Sequence, residues 1–207
     1  EGYTGSGFEE WLCLANPGGG DAHVAVTYIY QGEEASTESY LVPASSRRTL
    51  CVNDEAGSGK ELGMAVRSDL PILAERPMYF AYGEGWDGGH CVMGTPLACN
   101  YWCLAEGYTD PHFDEYICIS NPGKEDATVH VRPLFGPGGA GADYLVQAGQ
   151  RFTVPLRSAD PVERAYAISS DRGVVVERAM YFDYMGLGGH GWTGGHCTAG
   201  ATLKDIY

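Results

Sequence analysis

Basic residues are scarce in this chain. Lys and Arg number 13 against 27 Asp and Glu, for a net charge of −14. Neutralising phosphates takes clustered cations, so nucleic acid and anionic membrane surfaces are excluded as partners. Long apolar runs are missing too: none approaches the ~20 residues of a spanning helix, which predicts no membrane span. No window of about a dozen residues repeats apolar positions at helical spacing. The seven cysteines form no CxxC, CxxCH or zinc-finger spacing, which argues against redox, haem or structural-zinc chemistry. "EAGSGKE" at 55–61 lacks the first Gly and the Ser/Thr of a phosphate loop. "GSG" at 5–7 is no nucleophile elbow. Asn53, Asp54 and Glu55 are not followed by the spaced oxygen ligands of a calcium loop, so they are assigned to a turn. The chain is expected to be no enzyme and to need no metal or cofactor.

What is present is apolar material and duplication. Hydrophobic residues make up 44% and charged ones 19%, with 30 Gly and 14 Tyr, enough for cores rather than a disordered chain. "EGYTGSGFEEWLCLANPGG" at 1–19 returns as "EGYTDPHFDEYICISNPGK" at 106–124. "ERPMYFAYGEGWDGGHC" at 75–91 returns as "ERAMYFDYMGLGGHGWTGGHC" at 177–197. Two copies of one unit therefore fill the chain, 1–98 and 99–207.

Within a copy the period is two. Val24, Val26, Tyr28 and Tyr30 alternate with His23, Ala25, Thr27 and Ile29, and Leu12 and Leu14 with Trp11, Cys13 and Ala15, the pattern of half-buried strands. Asn-Pro-Gly, Gln31-Gly32-Glu33 and the Gly136–Gly141 run supply turns. About six to eight short strands per copy predict an all-β chain of two tandem immunoglobulin-like, Greek-key β-sandwich modules with very little helix.

The letters "YWCLAEGYT" at 101–109, "FEEWLC" and "FDEYIC", the two NPG turns, "ERPMYF" and "ERAMYF", and "GGHC" together resemble a repeat of long secreted and cell-surface bacterial proteins of unassigned function. Ala179 stands where the pattern has Pro. The resemblance implies an extracellular, β-rich array element with no catalytic residues to carry over. The partners expected are copies of itself or neighbouring repeats, head to tail. The second partner class is surface glycans, stacked on Trp86 and Trp192, which are placed in Gly-rich loops.

In the repeated Glu-Arg pair, Glu75 and Glu177 point to the opposite face from their neighbouring Arg, and a structural tie to another strand is preferred over acid-base work. Cys13 and Cys91 recur as Cys118 and Cys197. Pairing within each copy is preferred over metal ligation by His90-Cys91 and His196-Cys197. Each bridge would close a loop of about 80 residues and contribute roughly 4 kcal/mol, which agrees with an oxidising compartment. Cys51, Cys99 and Cys103 have no counterparts; Cys51 is expected to pair with Cys99 or Cys103, within the chain or between subunits.

The second copy is preceded by "NYWCLA" at 100–105, whereas the first opens directly at "EGYT". "GATLKDIY" at 200–207 aligns with "GTPLACNY" at 94–101. The first copy is therefore expected to lack a strand, and Leu203, Ile206 and Tyr207 of one subunit are the candidates to complete a neighbour.

Overall fold

Period-two alternation decides the local structure. The computed structural model describes residues 1–82, 85–134 and 141–202. It is all-β, with 65% strand and 4% helix. The first repeat carries β1 (Phe8–Asn16), β2 (Ala22–Tyr30), β3 (Ser36–Val42), β4 (Ser46–Cys51), β5 (Leu62–Ser68), β6 (Leu73–Tyr82) and β7 (Trp86–Met93). The second carries β8 (Cys99–Leu104), β9 (Tyr108–Thr109), β10 (Phe113–Ser120), β11 (Ala127–Pro133), β12 (Ala142–Val146), β13 (Arg151–Leu156), β14 (Val162–Glu163), β15 (Tyr166–Met185) and β16 (Gly191–Ala199). One correction concerns residues 53–55: they lie in a short helix, α1 (Val52–Ala56). The Asn53 side chain accepts from the Glu10 N–H and donates to the Phe8 carbonyl, so the turn is wound against β1. Residues 136–140 of the Gly-rich turn lie outside the described residues.

In the first repeat a four-stranded sheet, β4-β1-β6-β7, faces a three-stranded one, β3-β2-β5. Leu12 and Leu14 of one meet Val24, Val26 and Tyr28 of the other in a buried core. In the second repeat both layers share β15. Its start pairs with β11 and β8, and its later part with β10 and β16, with a register shift between Ser169 and Val174. The first repeat breaks this strand into β5 and β6. The sequences explain the difference: "SDLPIL" at 68–73 contains Pro71, which has no N–H for a ladder, where "SDRGVV" at 170–175 has Gly173.

Each NPG turn is held by its asparagine. Asn16 Nδ2 donates to the carbonyls of Gly20 and Val42, and its Oδ1 accepts from the Gly18 N–H. Asn121 repeats this with Glu125, Val146 and Gly123. Both are fully buried.

The two repeats differ at one edge. β8 lies antiparallel to β15 and places Trp102 opposite Ile168. The Trp102 indole is buried and donates to the Val174 carbonyl at 2.9 Å. Among the described residues, the matching edge of β5 carries no such strand, and a hollow beside it is lined by Leu12, Met64, Val66, Ile72 and Ala74. Trp102→Ala is expected to cost about 3–5 kcal/mol through the cavity it leaves; urea unfolding would measure it, and a loss below about 1 kcal/mol would contradict this packing.

The expected disulfides are not formed; all seven cysteines are free. Cys13 sits opposite Glu75 of β6, and Cys91 opposite Pro77 of the same strand. A whole strand therefore separates them, about 10 Å at sheet spacing, where a bridge requires Cα atoms within about 7 Å. Cys118 and Cys197 are parted in the same way by β15, opposite Glu177 and Ala179. Cys51, Cys99 and Cys103 are unbridged as well.

Candidate functional site

Alternation along β6 turns Arg76, Met78 and Phe80 to the buried face and Glu75 and Tyr79 to solvent. Alternation along β15 turns Arg178 and Met180 inward and Glu177, Ala179 and Tyr181 outward. In the second repeat, however, that outward face is covered, because the buried face of β1 and β6 extends past its own partner sheet and packs onto it. Phe8, Met78 and Phe80 from the first repeat and Ala179 and Tyr181 from the second form a shared core. The Tyr181 ring stands edge-on to Phe80 at 4.8 Å and to Phe8 at 5.9 Å.

A buried ionic cluster sits beside this core. Arg76 Nη1 lies 2.9 Å from Glu177 Oε2 and donates to the Glu1 carbonyl; Nη2 reaches Cys197 Sγ at 3.3 Å, and Nε is 3.8 Å from Glu10 Oε1. The Glu1 amino group donates to Glu177. The Tyr181 hydroxyl donates to the Glu1 carboxylate, which His90 Nε2 also approaches at 3.3 Å. Arg151 Nη1 donates to the Gly2 carbonyl at 2.7 Å and Nη2 to Cys118 Sγ at 3.2 Å.

Burial and charge pull these groups apart. Burial alone would raise Glu1, but His90 and Arg76 outweigh it and hold the carboxyl well below its ordinary range. Burial is likewise outweighed at Glu177, by Arg76 and the Glu1 amino group, and that carboxyl is lowered. Glu10 has no hydrogen-bond partner for either carboxylate oxygen, and burial pushes it up to about 7 against the opposing pull of Arg76. Burial raises Tyr181, with the Glu1 carboxylate adding to it. Burial also raises the Cys197 thiol, with Glu177 adding to it, so this sulfur is a hydrogen-bond acceptor for Arg76 and a poor nucleophile. The arrangement locks two surfaces together. Among the described residues, no group of three or more His, Cys, Asp or Glu is placed to hold a metal.

The second repeat carries a matching constellation, with Arg178, Met180 and Glu115 buried and Phe182 and His196 half-buried. Arg178 Nη2 is 2.9 Å from Glu106 Oε2 and 3.1 Å from His196 Nδ1. Glu115 takes the place of Glu10, and burial raises it to about 8, against Arg178. Glu106 and His196 line an open hollow together with Phe113, Met180, Phe182 and Tyr184.

The residues singled out in the sequence fare differently. Glu177 does meet an arginine of another strand, Arg76. Trp86 and Trp192 are not in loops: they lie in β7 and β16. Trp86 packs against the shared core, while Trp192 is 55% exposed. Leu203, Ile206 and Tyr207 lie outside the described residues. The sequence reading missed Glu1, Glu10, Arg76, Arg151 and Tyr181 as one cluster. Glu10 had a signal of its own, a carboxylate on the strand face that also carries Phe8, Leu12 and Leu14.

No family model and no curated protein matches the chain. Among solved structures, the Anabaena sensory rhodopsin transducer is similar to part of it, at 24% identity over 41% of this chain and 91% of that one, with a TM-score of 0.34. A likeness that distant assigns neither fold nor function.

Proposed function

We propose that the chain is a structural repeat unit: two immunoglobulin-like modules, 1–98 and 99–207, joined stiffly as part of a tandem array or head-to-tail filament. The reading is non-catalytic. The observation that supports it is the shared core and ion cluster between the repeats, which makes the second repeat a continuation of the first rather than a bead on a linker. Repeat proteins owe their rigidity to such nearest-neighbour interfaces. The extracellular, cell-surface setting rests on the resemblance of the repeat motifs, because free cysteines lend it no support.

Small-angle scattering tests the stiffness. The expected profile is one rigid particle with the repeats in fixed contact, and a profile requiring an ensemble of inter-repeat orientations would refute the reading. A second reading, a glycan-binding module, draws on the exposed Trp192 ring. A glycan-array signal that disappears in Trp192→Ala would favour it.

A further inference from the structure

The contact between the repeats joins two different faces. The receiving face belongs to the first repeat and presents Arg76, Met78, Phe80 and His90. The inserted face belongs to the second and presents Glu177, Tyr181 and Cys197. Because the unit is duplicated, each repeat owns both faces, and in this chain one of each is unused.

The unused receiving face is the hollow of the second repeat, lined by Met180, Phe182 and His196 where Met78, Phe80 and His90 stand in the first; Arg178, the counterpart of Arg76, is buried and bound to Glu106 of the lining at 2.9 Å. The unused inserted face is the outer side of β6 and β7. There Glu75, Tyr79 and Cys91 hold the positions of Glu177, Tyr181 and Cys197, and Pro77 is a compact residue in place of Ala179. Tyr79 is 57% exposed, whereas Tyr181, seated between Phe8 and Phe80, is 3% exposed. Exposed Leu73 lies farther along the strand face that carries Tyr79, and exposed Met93 is opposite Glu75 on β7, so apolar side chains recur along this outer face, as they do at interfaces.

We propose that the open hollow of the second repeat receives the outer face of the first repeat of another copy of this chain, joining copies head to tail. This rests on the structural-repeat reading above and names the surface that performs it. Tyr79 of one copy packs edge-on against the stacked Phe113 and Phe182 of the next, as Tyr181 already does against the stacked Phe8 and Phe80 within the chain. The occupant is a second copy because its outer face carries Glu75, Tyr79 and Cys91, the counterparts of the three side chains that the first repeat's receiving face already holds. The contact is heterologous, so it propagates rather than closing as a two-fold dimer.

Sedimentation velocity across a concentration series tests this. The wild-type chain is expected to show a mass that keeps rising beyond the dimer. Tyr79→Arg, at an exposed position, and Phe182→Arg, in the hollow, are each expected to weaken association at least about 30-fold. Each variant keeps one intact face, so their equimolar mixture should form a heterodimer and stop there. If circular dichroism shows Phe182→Arg unfolded, Tyr79→Arg alone decides. A wild-type chain that is monomeric throughout, a closed dimer, or oligomers that survive Tyr79→Arg would overturn the proposal. Stiffness of the isolated chain is measured separately by scattering, so a rigid monomer would remove this interface and leave the repeat-unit reading standing.

Discussion

Arg76→Ala is expected to destabilise the chain by about 3–5 kcal/mol, because removing one partner of a buried ion pair strands the other. Here the stranded charge is Glu177 at 2.9 Å, and the Glu1 carbonyl loses a donor. Both repeats contribute to the cluster, so the loss should appear as weaker coupling between them as well as lower stability. Equilibrium urea unfolding of the wild type shows one transition if the repeats unfold together, and the variant should show two. Arg76→Met combined with Glu177→Met should recover part of the loss, since an apolar pair of similar volume carries no desolvation cost. A single variant within about 1 kcal/mol of wild type would mean that the cluster holds nothing together.

The second large effect is on pH dependence. Glu10 and Glu115 have folded-state values raised by burial to about 7 and about 8, against an ordinary 4.5. Between the unfolded and folded values the native state holds more protons than the unfolded one, so stability falls as pH rises from about 4.5 to about 8. Glu10 alone accounts for on the order of 3 kcal/mol across that range. Glu1 and Glu177 act in the opposite sense. Their carboxyls are lowered in the fold, so the stability they contribute is present above their ordinary range and lost as pH falls through it. A maximum of thermal stability near pH 5 follows. Glu10→Gln with Glu115→Gln should flatten the alkaline side and leave the acid side intact. An unchanged slope between pH 5 and 8 in that double variant would show that these carboxyls are not the cause.

How much of this was legible in the sequence differs element by element. Val24, Val26, Tyr28 and Tyr30 read as one buried strand face and are one, because side-chain direction in a strand depends only on local geometry. The duplication was equally plain. The register of β1, β6 and β7 was not: it puts Cys13 and Cys91 on either side of a third strand, and a spacing of 78 residues along the chain (91 − 13) says nothing about which strand lies between. Asn16 and Asn121 read as turn residues, and their bonds to residues two and four positions on agree, while the Val42 and Val146 carbonyls reach them only when the hairpin beyond each turn has closed. The helical turn at 52–56 arises from a tertiary tie of Asn53 to β1, against a local composition that reads as a simple turn.

The candidate site illustrates the division most sharply. By itself the sequence determined that the chain is β-rich, duplicated, acidic and short of phosphate-binding or nucleophile motifs, since each of these is a property of composition or of residues close along the chain. Only the tertiary structure decided that Arg76 of one repeat faces Glu177 of the other, that Tyr181 is covered while Tyr79 is bare, and that Glu10 is deprived of water. These depend on which face of one sheet lies against which face of another, a choice made by the summed packing of residues some hundred positions apart, as in the 101-residue separation of Arg76 and Glu177.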